Sequence, residues 1–143
     1  MSKNNVTVKG LDKLVARIKQ KADVELQNDV ELWLEASGMD FLRETKDQVK
    51  AYQAVDTRRL INSFDKGNDG VIWKLNKGKL SLDVGTNVHY ARYVNDGHKI
   101  KRGGKVIGYV EGKPYFDTAT ENFREQFKQT FKVKLKQWSK RGF

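Results

Sequence analysis

The sequence predicts an α+β fold, and three observations carry that expectation. Apolar side chains recur every three or four residues from about residue 10 to 54, and again from 116 to 138, which is the period of amphipathic helices. Between them, residues 71–84 alternate on both sides of an Asn/Gly turn, as a β-hairpin with one buried face does. Helices at both ends with strands in the middle define the class.

The first helical stretch runs from Leu11 and Leu14 through Leu26, Val30, Trp33, Leu34, Phe41 and Leu42 to Val49 and Tyr52. Unbroken, it would extend roughly 65 Å at 1.5 Å per residue, long for a small domain. A break or kink is therefore expected, either at Gln27-Asn28-Asp29, whose side chains can cap a helix, or at Ser37-Gly38, where glycine weakens one. Residues 59–65 are a candidate strand. Asn68-Asp69-Gly70 is a turn signal, Val71, Trp73 and Leu75 alternate after it, and Asn76-Lys77-Gly78 turns the chain into Leu80, Leu82 and Val84. Val88 to Asn95 reads as a short helix or tight turn.

From Gly97 to Lys113 there are five glycines, five basic residues and one acid, Glu111. This 97–113 segment reads as a Gly/Lys-rich arm, with Val106-Ile107 and Tyr109-Val110 forming a short strand between flexible ends. The final helix has a capping-box pattern at Thr118-Ala119-Thr120-Glu121. Phe116, Ala119, Phe123, Phe127, Phe131, Leu135 and Trp138 then share its apolar stripe, and Lys128, Lys132, Lys136 and Lys140 recur every four residues on another face.

A length of 143 residues suits one domain spanning 1–143, with residues 1–9 expected to be flexible. The chain has no cysteine, so disulfides and thiol chemistry are excluded. No stretch has the length of a signal peptide's apolar core or of a membrane span, so no membrane partner is expected. The net charge of +10 is uneven: residues 1–55 balance, and the excess lies almost wholly in residues 97–143.

Catalysis finds no support. His89 and His98 are the only histidines and have no metal-ligand spacing, so no catalytic, cofactor or metal site is expected and the chain reads as a non-enzyme. Gly103-Gly104-Lys105 lacks the spacing of a phosphate-binding loop. The basic residues offer more. Lys99, Lys101, Arg102 and Lys105 form one cluster, and Lys132, Lys134, Lys136, Lys140 and Arg141 a second. They suit non-specific DNA contact, an acidic protein partner, or simply a solvated helix face.

Three motifs remain. The first is Val55-Asp56-Thr57-Arg58-Arg59-Leu60-Ile61-Asn62-Ser63 and the second Val84-Gly85-Thr86-Asn87-Val88-His89-Tyr90-Ala91-Arg92-Tyr93-Val94-Asn95-Asp96-Gly97. The third is Lys113-Pro114-Tyr115-Phe116-Asp117-Thr118-Ala119. As an ordered set they resemble the tail-completion, or head–tail joining, proteins of long-tailed double-stranded DNA phages. Arg58 stands where that family commonly has glycine, and His98 where it often has threonine. Asp56, Thr57, Leu60, Ser63, Gly85, Thr86, Asn87, Tyr90, Ala91, Tyr93, Gly97, Pro114, Phe116 and Ala119 keep the family pattern. Their expected role is to maintain the fold: Asp56-Thr57 as a turn or cap, Gly85 and Asn87 in left-handed backbone, the tyrosine rings buried with their hydroxyls bonded.

The resemblance implies a small, mostly antiparallel sheet packed against the two terminal helices. It implies a virion protein of the neck or head-proximal tail end, assembled in the host bacterial cytoplasm. Its partners would be other neck and tail proteins and further copies of itself in a ring, with a monomer when free. Phage, prophage and phage-derived particle are all compatible sources.

Overall fold

In the computed structural model, residues 24–53 and 58–140 are described continuously, with helical positions at Lys13, Ala16, Arg17 and Gln20 ahead of them. The expected flexibility of residues 1–9, the Asp56-Thr57 turn and Arg141 lie outside the described residues.

Helix α1 spans Val24–Ala51 without interruption, 28 residues or about 42 Å. Neither expected break occurs within it. Gln27 donates instead to Glu31 one turn on, a bond that supports the helix. Gly38 is buried because the first hairpin lies across it. A Cβ there would stand 2.6 Å from Leu82 Cδ2 and 2.8 Å from Trp73 Cη2. Glycine at this point admits a neighbour rather than ending the helix.

Beyond the turn lies α2, Arg58–Asn62, one helical turn where a strand was a candidate. It buries Leu60, and the Ser63 hydroxyl closes it by donating to the Leu60 carbonyl at 2.6 Å. The Asn68 side chain then accepts from the Gly70 amide, forming the expected turn. Strands β1, Val71–Asn76, and β2, Ser81–Thr86, pair antiparallel with Trp73 opposite Val84 and Leu75 opposite Leu82. A short helix, α3, covers Ala91–Asp96. Strands β3, Gly97–Arg102, and β4, Lys105–Glu111, form a second antiparallel hairpin, so the arm is paired strand along most of its length. The α+β class holds, with its strands in two separate two-stranded sheets.

Helix α4 spans Tyr115–Ser139, starting three residues before the capping-box pattern. Thr120 bonds back to the Phe116 carbonyl and Thr118 to Tyr52, so neither caps the N-terminus. Helices α1 and α4 lie antiparallel. Near one end Trp33 stacks on Phe127, 4.8 Å between centroids, and meets Phe131 and Trp138. Near the other, Phe41 meets Phe116 and Phe123 edge to face. Phe41, Leu42 and Val49 share a second cluster with Leu60, Phe64, Val88, Ala91 and Tyr115. Leu135, expected in this core, is 39% exposed, at the edge of the stripe whose buried centre is Phe127, Phe131 and Trp138. Among the described residues no helix is long and apolar enough to cross a membrane.

Candidate functional site

The three motifs converge on one junction. Leu60 arrives on α2 and Ser63 directly after it, Thr86 at the end of β2, Ala91 on α3, and Phe116 and Ala119 on α4; all six are buried. Hydrogen bonds run through them in series. The Val88 amide donates to Thr86 Oγ1, Thr86 Oγ1 donates to Ser63 Oγ at 2.7 Å, and Ser63 donates to the Leu60 carbonyl. A chain of hydroxyls satisfies every member away from water, which stabilises only when complete. Tyr115, fully buried, donates its hydroxyl to the Ala91 carbonyl at 3.1 Å. Burial, with Asp96, Tyr90 and Asp117 nearby, pushes its phenol well above the usual tyrosine range.

Some motif residues sit otherwise than expected. Gly85 and Asn87 do not use left-handed backbone; the positive φ in this region is at Gly97, 79°. Tyr93 is exposed and Tyr90 half-buried, so the buried ring with a bonded hydroxyl is Tyr115. Pro114 directly precedes α4 as expected. Asn95 carries more than the motif reading assigned it. Its Oδ1 accepts from the Phe116 amide at 3.0 Å and from that of Asp117, and its Nδ2 donates to Asp117 and Asp96. The signal available in the sequence was a polar side chain on a short apolar turn; apart from Asp96, its partners lie over twenty residues away.

The β3–β4 hairpin is held at its base and nowhere comparably beyond it. Its packing outside itself is chiefly on α3. The Lys113 amide bonds the Val94 carbonyl, and Tyr109 donates to the Asp96 carbonyl across Gly97. A Cβ at Gly97 would lie 2.5 Å from the Val110 carbonyl oxygen and 2.6 Å from the Tyr109 hydroxyl. Glycine is thus required there twice over, by φ and by space. Along the hairpin, Val106, Ile107, Tyr109 and Val110 are all exposed, Tyr109 by 62% even with its hydroxyl in the anchor. With Ile100, five large apolar side chains are exposed on one small hairpin, the kind of patch that marks an interaction surface. Lys99, Lys101, Arg102 and Lys105 lie among them, exposed.

Lys132, Lys136 and Lys140 are exposed on α4, on the side away from Phe127, Phe131 and Trp138. Lys128, the first of that row, stands about 20 Å along the helix from Tyr115, where the hairpin is anchored. Of the histidines, His89 packs edge to face on Tyr90 and His98 on Tyr93. Among the described residues no group of three or more His, Cys, Asp or Glu is arranged to hold a metal ion.

The shared motifs meet in one buried junction and so mark a fold family. Residues 6–97 match the HK97-gp10-like family of bacteriophage tail components, and the chain belongs to that family. It is 32% identical to the protein YqbI of Bacillus subtilis (strain 168), over 92% of this chain and 96% of the relative. It is 29% identical to the phage-like element PBSX protein XkdI of the same strain, over 94% and 98%. No solved structure matches. The matched span ends at Gly97, where the second hairpin begins.

Proposed function

We propose that this phage tail component works at the neck or head-proximal end of the tail, completing the tail and joining it to the head. Its activity is ordered binding to other neck and tail proteins and to copies of itself in a ring, with the monomer as the free form. Its place is the virion, after assembly in the host bacterial cytoplasm. The observation that carries this reading is the β3–β4 hairpin, whose apolar residues are exposed while its base is pinned by Gly97 and Lys113. Covering those side chains on assembly supplies binding energy without bond chemistry.

The test is electron microscopy of lysates from a source genome with this gene interrupted, beside a complemented control. Filled heads and separate tails, rejoined on complementation, are the expected outcome. Normal joined particles would remove the junction role.

A second reading has its own observation. Lys128, Lys132, Lys136 and Lys140 present a row of cations on an exposed face of α4. Lysines so placed act as point charges on phosphates, without sequence preference and with strong salt dependence. Retention of DNA by the purified protein at low salt, lost when these four become glutamine, is what non-specific DNA contact would produce.

A further inference from the structure

Two surfaces of this chain suit each other and do not pack together within one molecule. The first is a face of the β3–β4 hairpin. Lys99 pairs across the ladder with Tyr109, and Lys101 with Val106. Lys99 and Lys101, two apart on β3, share a face, and a register shift between Ile100 and Lys101 brings Val106 opposite Lys101 as Tyr109 is opposite Lys99, all four exposed. The second is the outer stripe of α1. Leu32, Ala36 and Met39 stand at i, i+4 and i+7 and are exposed. Glu31 and Glu35 lie one turn apart along its flank.

The charges are opposite and their spacings agree. From Val24 to Leu42 the chain has five carboxylates and no cation. Lys99 and Lys101 are about 6.7 Å apart along a strand. Glu31 and Glu35 are about 6 Å apart along a helix. Neither lysine nor Glu35 forms an ion pair among the described residues. The hairpin packs outside itself chiefly on α3 rather than on α1, which leaves the two patches to meet between molecules.

We infer that the hairpin of one copy docks by its Lys99–Lys101 face on the Glu31–Glu35 stripe of α1 in a second copy. The inference rests on the assembly reading above and names its contact. The lysine row meets the carboxylates, while Val106 and Tyr109 cover Leu32 and Met39. Opposite charge sets the register and the apolar rows exclude water. Because the two patches differ, the contact is heterologous and joins copies head to tail, closing into a ring where the rotation permits.

The absence of cysteine makes the test direct. A chain carrying Glu35→Cys and Lys101→Cys is oxidised both as purified full-length protein at low salt and in assembled particles. A ladder of dimer, trimer and larger species is expected, with each single variant remaining monomeric. Charge reversal supplies a second readout. Lys99→Glu with Lys101→Glu should weaken self-association at least about tenfold in sedimentation, as should Glu31→Lys with Glu35→Lys. A chain carrying all four reversals should recover it, which a misfolded protein would not do.

No ladder in either setting, or a four-reversal chain as weak as its parents, overturns the inference. So does a disulfide dimer from Lys101→Cys alone, which would mean hairpin against hairpin. The two readings fail separately. Joined particles from the interrupted gene remove the neck role and leave the ladder standing. Separated heads and tails without a ladder remove this contact alone.

Discussion

The Asn95 side chain caps a helix that begins twenty residues after it. Its Oδ1 takes the amide hydrogens of Phe116 and Asp117, two of the donors that the first turn of α4 leaves without a helical partner. Asn95 is only 3% exposed, so no water replaces it readily. This one residue ties α3, the root of the second hairpin and the start of α4 into a unit.

Asn95→Ala should therefore cost more than an ordinary surface cap. It leaves one buried and one half-buried amide donor without a partner, and the expected loss is roughly 2–3 kcal/mol. Urea unfolding of the two proteins checks this. A change below about 0.5 kcal/mol would mean that the α4 N-terminus is satisfied without it.

The hydroxyl series from Val88 through Thr86 and Ser63 to Leu60 should be cooperative. Thr86→Val and Ser63→Ala are each expected to destabilise by about 1–2 kcal/mol. Made together they should cost less than their sum, with a coupling of at least about 0.5 kcal/mol. Strict additivity in a double-mutant cycle would show the two hydroxyls acting independently.

Gly38→Ala sets helix propensity against space. Alanine favours the helix by about 1 kcal/mol. Its Cβ would fall 2.8 Å from the Trp73 ring, which cannot bend away as the Leu82 methyl can. Net destabilisation of about 1–2 kcal/mol is expected, with a change in tryptophan fluorescence as the ring is displaced. A stabilised variant would show that the first hairpin sits farther from α1.

Tyr115 should make stability fall in alkali. Its phenol is held neutral in the fold and ionises near the ordinary value of 10.0 when unfolded. The folded-state value is the higher one, so the contribution is complete below pH 10 and is lost as pH rises beyond it. Tyr115→Phe cannot titrate. The stability gap between wild type and this variant should be largest near pH 8 and narrow above about pH 10, measured by denaturant unfolding at each pH.

Trimming the second hairpin should separate folding from assembly. Replacing residues 100–107 with Asn-Gly removes exposed strand that is packed chiefly on its own partner strand. Monomer stability is expected to stay within about 0.5 kcal/mol of wild type, whereas incorporation into particles should fail. A large stability loss would place the hairpin in the core.

Much of this was legible locally. The apolar stripes of α1 and α4 and the alternation of β1 and β2 follow from side-chain period, which depends only on neighbours along the chain. The family motifs were legible as a set, yet their meeting at Ser63, Thr86 and Tyr115 was not, since hydroxyl partners more than twenty residues apart leave no spacing to read. The same limit misplaced the start of α4: Thr118 to Glu121 is a capping pattern, but Asn95 reaches the chain first. Gly38 misled in the same way, because a glycine that weakens a helix and one that seats a tryptophan are the same letter.

The α+β class, the two long amphipathic helices, the first hairpin and the basic character of the last third all follow from the order of residues along the chain. Each depends on composition or on interactions within a few residues. That α1 runs unbroken through Gly38, that Asn95 caps α4, and that the Gly/Lys-rich segment is a paired hairpin with its apolar side chains exposed emerge only once the elements are packed. Those outcomes turn on which surfaces meet, and burial against a distant partner outweighs the fraction of a kilocalorie that local propensity contributes.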